Sequence, residues 1–219
     1  TLHNLLFTAT SSLENLHSIS GRVVGFDYGP DGKQCNLKIL QDSEKEICTI
    51  NTKLLVVADG ASSFCRHILG ISWGIKNYCQ RAVLANFKSS LSPSIARQWF
   101  RRDEVMAFLP TSKNSLSMIW SQRDCDAQRL LKEGNSYLMK ELSNFIGTTM
   151  LSRIEIDSKM ISAPLSMITV DKLVTKRVVL LGDSAHTVHP LAGLGLNIGL
   201  FDIVTLVNEF DKAINKNRK

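Results

Sequence analysis

The stretch that decides the fold is Arg177-Val178-Val179-Leu180-Leu181-Gly182-Asp183-Ser184-Ala185-His186, followed by Thr187-Val188-His189-Pro190-Leu191-Ala192-Gly193-Leu194-Gly195-Leu196-Asn197-Ile198-Gly199. A continuous apolar run of β-branched residues reads as a strand buried on both faces. It ends in Gly-Asp, passes through a polar loop, and meets a glycine-rich helix start. In α/β folds ligands lie beyond the carboxyl ends of such strands. There a carboxylate accepts hydrogen bonds from sugar hydroxyls, glycines let the backbone approach a ligand, and a helix start offers free N–H groups. The spacing Gly193-x-Gly195-x-x-x-Gly199 is not the G-x-G-x-x-G fingerprint: its third glycine is one residue late and no strand directly precedes it.

An earlier segment repeats the design. Lys53-Leu54-Leu55-Val56-Val57-Ala58 is a second apolar strand; it ends in Asp59-Gly60, and Ser62-Ser63 caps a short helix carrying Arg66. Between and before these two segments the patterns differ. Residues 1–18 repeat leucines at helical spacing. Residues 22–26, 36–40 and 47–50 read as a three-stranded meander joined at Gly29-Pro30-Asp31-Gly32 and at Asp42-Ser43-Glu44-Lys45. From Arg81 to Gln122 short strands alternate with turns, residues 126–146 read as one helix with Gly134 weakening its middle, residues 153–156 as a strand, and Ala163-Pro164-Leu165 as an extended break. The last helix is expected to run to about Phe210.

The chain has 219 residues with 44% hydrophobic and 21% charged residues, which is ordinary globular usage and excludes a wholly disordered or coiled-coil chain. No apolar run approaches the ~18 residues of a membrane-spanning helix. The first residues lack a basic region and a cleavage site, so they do not read as a signal peptide. The net charge of +6 is dispersed and not interleaved with aromatics, which argues against nucleic acid and is compatible with an anionic cofactor or a weak attraction to an acidic membrane surface. Five cysteines without C-x-x-C spacing argue for reduced thiols rather than disulfides or zinc. His186 and His189 stand three apart, but no acidic or sulfur partner lies close in sequence, so no metal is expected.

Asp59-Gly60-Ala61-Ser62-Ser63-Phe64-Cys65-Arg66 resembles the D-G-x-x-S-x-x-R motif of the FAD-dependent aromatic-ring monooxygenases of the para-hydroxybenzoate-hydroxylase-like family. Gly182 to Gly199 resembles that family's G-D-A-A-H…P…G-x-G-x-N-x-G motif. Ala96-Arg97-Gln98-Trp99-Phe100, Ala107-Phe108-Leu109-Pro110, Ile119-Trp120-Ser121 and His189-Pro190-Leu191-Ala192-Gly193 are similar to its ubiquinone-biosynthesis hydroxylases. The resemblance covers about Arg22 to Glu209.

The resemblance implies an α/β (α+β) fold: part of an FAD/NAD(P)-binding three-layer domain, formed by residues 1–80 and 166–219, with an antiparallel-sheet substrate domain interleaved at 81–165. It implies FAD as cofactor, NAD(P)H as co-substrate, and hydroxylation of a polyprenylated phenol through a flavin C4a-hydroperoxide. Asp59, Gly60 and Arg66 would lie near the pyrophosphate and the NAD(P)H path. Gly182 and Asp183 would serve the ribityl or pyrophosphate region. Pro190 and the backbone of Gly193, Leu194, Gly195, Leu196 and Asn197 would lie along the isoalloxazine. Phe108 and Trp120 are candidates for a substrate face. No catalytic side chain is assigned. Other ubiquinone-biosynthesis proteins and peripheral membrane contact are expected partners, in the cytoplasm or, in a eukaryote, the mitochondrial matrix.

The sequence departs from the family pattern in three ways. It holds no strand–G-x-G-x-x-G–helix unit ahead of the first motif, and the pattern's C-terminal helical region is missing. Leu194 and Phe201 stand where Gln and Arg are usual. The chain is therefore expected to be a piece of a longer protein. The competing expectation is a non-catalytic relative of the same fold that binds a lipid or a partner subunit.

Overall fold

The computed structural model describes residues 2–42, 45–91, 94–189 and 193–217. In chain order these form α1 (Leu2–Ser11), β1 (Gly21–Tyr28), β2 (Cys35–Gln41), β3 (Ile47–Thr52), β4 (Leu55–Val57), α2 (Phe64–Ile68), β5 (Trp73–Ser89), β6 (Arg97–Arg101), β7 (Glu104–Ser112) and β8 (Ser115–Arg123). Then follow α3 (Asp124–Glu133), α4 (Asn135–Ile146), α5 (Thr148–Leu151), β9 (Ile154–Ile156), β10 (Ile161–Val170), β11 (Val174–Thr175), β12 (Val178–Leu180), β13 (His186–Thr187) and α6 (Leu194–Asn217). The chain is a mixed α/β (α+β) protein of open sheets. It forms two compact units, one of residues 1–73, 170–186 and 196–219, the other of residues 74–169 and 187–195.

In the first unit β1, β2 and β3 make the antiparallel meander read from the sequence. Its first turn closes through Gly29 N–H to the Gln34 carbonyl at 3.0 Å and Lys33 N–H to Asp31 Oδ1 at 2.8 Å. A second sheet, ordered β11-β12-β4, pairs β12 with β4 in parallel, Val178 opposite Leu55 and Leu180 opposite Val57. The core lies between these elements: Cys35 and Phe26 from the meander, Val57, Val178 and Leu180 from the parallel pair, Cys65 from α2, and Ile71 and Ala185. All of β12 is buried, as its sequence requires. β4 is not: Val56 is 43% exposed, because it points to the sheet face opposite Val57, which the described residues leave open.

In the second unit the strands are ordered β10-β5-β8-β7-β6, with β9 beside β5. One sheet face, carrying Val83, Phe87, Met106, Phe108, Met118 and Trp120, packs under Leu130 of α3 and Leu138, Leu142 and Phe145 of α4. The predicted single helix is two. Gly134 stands between them with φ +81° and ψ −163°, and its N–H closes α3 on the Leu130 carbonyl. Three other differences are local. The first helix stops at Ser11 instead of residue 18, and none of its side chains is buried to hold it longer. Pro164 lies within a ten-residue strand rather than a break; it is exposed on the last long strand at that end of the sheet, where a missing N–H is tolerated. The final helix continues to Asn217.

Candidate functional site

The parallel pairing of β4 with β12 is what builds the site. Because Val57 lies opposite Leu180, the two strands end level, and Asp59-Gly60 and Gly182-Asp183 leave the same sheet edge side by side. Leu181 N–H bonds the Val57 carbonyl at 2.9 Å. The buried Ser184 hydroxyl lies 2.8 Å from the Val57 carbonyl and 2.7 Å from the Leu181 carbonyl, so one side chain ties both strand ends.

Asp59 holds the start of α2. Its Oδ2 accepts the Cys65 N–H at 3.0 Å, while the Ser63 hydroxyl caps the helix by accepting the Arg66 N–H at 2.9 Å. Partial burial pushes the Asp59 carboxyl up, but hydrogen bonds from Ser63 and from the Cys65 N–H outweigh it and leave it below the usual carboxylate value. Burial, reinforced by the Asp59 charge, drives the Cys65 thiol the other way, to about 12, so it is an inert thiol.

Arg66 is 2% exposed. It donates Nη1–H to the Ser184 carbonyl at 2.8 Å and Nη2–H to the Ala61 carbonyl at 2.7 Å. Its guanidinium lies 4.7 Å from the ring centre of Trp73. Burial lowers its pKa, against the opposing pull of Asp59. Arg66 therefore clasps the loop after β4 to the loop after β12. It is neither a surface arginine nor an open cationic site, and only Nε is buried without a partner among its nitrogens, counting the described residues.

The second loop is braced from α6. Gly182 (φ +58°) donates its N–H to Asp202 Oδ2 at 2.8 Å, and His186 Nε2 lies 2.8 Å from the same oxygen. A Cβ placed on Gly199 would stand 3.4 Å from Gly182 Cα, so loop and helix backbones meet closely there. Asp183 is exposed at the turn. Sequence reasoning missed Asp202. A signal was present: it is the only acidic residue between Leu194 and Asn208, in an otherwise apolar helix. His186 is thus a brace of the loop, and His189 is a separate matter. In the second unit His189 packs edge-on to Tyr78 and its Nε2 is 3.3 Å from Gln80 Oε1; burial lowers its pKa.

Gly193 (φ +67°) and Leu194, both exposed, lead into α6, with Gly195 half-buried and Leu196 and Asn197 exposed behind them. Pro190 lies outside the described residues. Phe108 and Trp120 lie on the helix-covered face of the sheet. They are 1% and 3% exposed, Phe108 against Phe87 and Trp99, Trp120 against Phe145, all under the helices. Period-2 alternation sends Leu84, Val105, Ala107 and Ile119 to the opposite face, where they are half-buried.

Comparison with known proteins agrees with this geometry. The FAD binding domain family matches residues 18–219. Ubiquinone biosynthesis monooxygenase COQ6, mitochondrial, from Schizosaccharomyces pombe is 30% identical over 205 residues, covering 75% of this chain and 43% of that protein. The 3-demethoxyubiquinol 3-hydroxylase of Escherichia coli is 31% identical over 162 residues, covering 73% of this chain and 40% of that protein. The chain thus spans about two fifths of the length of these relatives. Among solved structures, PqsL, a probable FAD-dependent monooxygenase from Pseudomonas aeruginosa, superposes with a TM-score of 0.75 at 19% identity, covering 98% of this chain and 60% of that one, a likeness of fold. With the matched family extending from the meander through both Asp-Gly loops to the end of α6, the chain belongs to the FAD binding domain family of flavoprotein monooxygenases.

Proposed function

We propose that the chain supplies the flavin-side loops and the substrate sheet of an FAD-dependent hydroxylase acting on a polyprenylated aromatic ring, with NAD(P)H and dioxygen as co-substrates. The observation that carries the reading is the level ending of β4 and β12, which sets Asp59-Gly60 beside Gly182-Asp183 at one sheet edge.

The residues present fit a dinucleotide. Gly60 (φ +84°) would point a Cβ into open space, so its bare backbone is approachable from that side. Gly193, at the entry to α6, is also open around its Cα. Bound flavin would supply the redox chemistry, passing electrons from NAD(P)H to dioxygen so that one oxygen atom reaches the ring.

The chain's own residues do the rest. The exposed Asp183 would present its carboxylate to the polar middle of the cofactor, while Gly182 donates its N–H to Asp202 and shapes the loop. Asp59 is committed to the α2 start and shapes the loop instead of reacting. Arg66 fixes the spacing of the two loops from beneath. The entry of α6, Gly193 through Asn197, would hold the flavin end of the cofactor by offering it backbone N–H groups. The face carrying Leu84, Val105, Ala107 and Ile119 offers an apolar surface suited to a prenylated ring. The names of the relatives, a ubiquinone biosynthesis monooxygenase and a demethoxyubiquinol hydroxylase, support the substrate class. The compartment follows the source, cytoplasm or mitochondrial matrix. Among the described residues no helix is long and apolar enough to cross a membrane, and a lipophilic substrate calls for peripheral contact instead.

The test is FAD titration of the purified chain, read by visible absorbance and flavin fluorescence. Saturable binding with a perturbed spectrum, weakened at least about tenfold by Asp183→Ala at unchanged thermal stability, is the expected outcome. A folded chain that leaves the flavin spectrum untouched refutes the reading for this chain.

A further inference from the structure

The packed side of α6 carries one charged side chain. Among the described positions of that helix only Gly195, Ile198, Gly199, Asp202 and Leu206 are half-buried, so Asp202 stands alone among apolar and bare residues. Its side chain is 18% exposed. A carboxylate drawn out of water is costly unless hydrogen bonds replace its hydration. Here one oxygen receives both replacements. Oδ2 accepts the Gly182 N–H at 2.8 Å and lies 2.8 Å from His186 Nε2. An ionised carboxylate only accepts, so Nε2 is the nitrogen that carries the proton, and the neutral ring is held as the Nε2–H tautomer.

The turn after β12 does not need this oxygen to close. Its Ala185 N–H bonds the Gly182 carbonyl at 2.9 Å. Ser184 and Arg66 tie its middle to the β4 side. Asp202 holds its two ends instead, Gly182 and His186, which bracket Asp183. The bare Gly199 lets the helix come close enough: a Cβ there would stand 3.4 Å from Gly182 Cα.

We propose that Asp202 is the positioning residue of the cofactor loop. By accepting from Gly182 and His186 on one oxygen, it sets Asp183 against α6 in the geometry that receives the polar middle of FAD. The inference rests on the flavin reading above and assigns cofactor affinity to a carboxylate whose oxygen is already committed to the protein. Both of its partners are donors, which decides what substitution is tolerated. Asp202→Asn can turn its amide oxygen to the same place and accept from both. Asp202→Leu, of similar size, accepts from neither.

The first measurement uses the full chain with ¹⁵N-labelled histidine and no cofactor, in mildly alkaline buffer where imidazole is neutral. Of the five histidine rings, His186 is assigned by its loss in His186→Gln. Two-bond ¹⁵N–¹H correlation shows which nitrogen is protonated. His186 should be Nε2–H in the parent and in Asp202→Asn, and a mixture of tautomers in Asp202→Leu. A parent ring in the Nδ1–H form overturns the proposal without any variant.

FAD titration by flavin fluorescence follows, on the parent, Asp183→Ala, Asp202→Asn and Asp202→Leu. Asp202→Leu should weaken FAD about tenfold or more, as Asp183→Ala does, while Asp202→Asn stays within about threefold of the parent. Circular dichroism shows that each variant is folded; if Asp202→Leu is not, Asp202→Ala takes its place with the same expected result. Parent-like affinity in Asp202→Leu beside a weakened Asp183→Ala overturns the positioning role and leaves the flavin reading standing. Equal loss in Asp202→Asn and Asp202→Leu also overturns it, since charge and not the two accepted bonds would then govern affinity. A folded parent that binds no FAD refutes the flavin reading and this proposal with it.

Discussion

Replacing Arg66 by Met tests whether one guanidinium holds the two strand-end loops together. The substitution keeps much of the aliphatic stem and removes two hydrogen bonds, to the Ser184 carbonyl at 2.8 Å and to the Ala61 carbonyl at 2.7 Å. Hydrogen bonds from a charged donor contribute about 1.5–3 kcal/mol each, so the gross loss is about 3–6 kcal/mol. Against that stands the cost of keeping a cation buried, which the lowered pKa of Arg66 reveals and which amounts to several kcal/mol for an ion removed from water. The stack on Trp73 adds about 0.5–1 kcal/mol to the loss. The net expectation is a destabilisation of about 2–3 kcal/mol, or a fall in Tm of about 5–10 °C at this chain length. Urea titration followed by circular dichroism measures the free energy, and Trp73 emission reports the local environment. Arg66→Lys is the control. A lysine keeps the charge but cannot span both carbonyls, so it should not restore stability. A midpoint within error of the parent for Arg66→Met, or a parent-like Arg66→Lys, would refute the clasp.

Other expectations follow from the same contacts. Gly182→Ala places a side chain at φ +58° and should cost about 1–2 kcal/mol, seen as a lower urea midpoint; an unchanged midpoint would mean the loop is free to relax. His189 has its pKa lowered from 6.5 by burial, so it binds its proton less readily folded than unfolded. Its contribution is complete above about pH 6.5 and is lost as pH falls through the lower folded value, so the Tm of His189→Gln should vary less with pH across that acidic window. The Asp59 carboxyl lies below 3.8, which makes its contribution present above that value and lost as pH falls further; Asp59→Asn should flatten the acid end of the stability profile without moving the neutral end of the pH dependence. A thiol reagent should label the exposed Cys79 and Cys125 in the native chain, while Cys65, with its pKa pushed up to about 12, reacts only on unfolding; mass spectrometry of labelled peptides decides.

Much of this architecture is written in local chemistry, and the misreadings mark where local chemistry ends. The two Asp-Gly strand ends were legible because each combines a β-branched run with a small-residue exit, and a run of that kind has few other uses. That they lie side by side was not, since parallel pairing joins residues more than a hundred positions apart and leaves no trace in either segment. The same holds for Arg66. Its spacing from Asp59 marks the motif, but only the return of Ser184 across the sheet shows that the arginine is spent on backbone carbonyls. Val56 misled for a related reason: a run of apolar residues fits a strand covered on one face as well as one covered on both, and what covers a face is a property of the tertiary packing.

Phe108 and Trp120 teach the complementary point. Large aromatics in a sheet domain invite a substrate reading, yet alternation assigns them and their apolar neighbours to opposite faces, and the sequence of α3 and α4 supplies the leucines that cover one of them. The covered face takes the bulky rings because helices bury them. The other face keeps the smaller and aliphatic Leu84, Val105, Ala107 and Ile119, which stay half-buried. A substitution pair separates the two roles. Ile119→Asn should leave stability within about 1 kcal/mol, since its site is only half-buried, but should impair turnover of a prenylated ring in any assembly that carries out the reaction. Phe108→Ala should cost about 3–5 kcal/mol of stability through the cavity it opens. The reverse pattern, a silent Ile119→Asn and a Phe108→Ala that alters substrate choice in a stably folded chain, would return the substrate to the face under the helices.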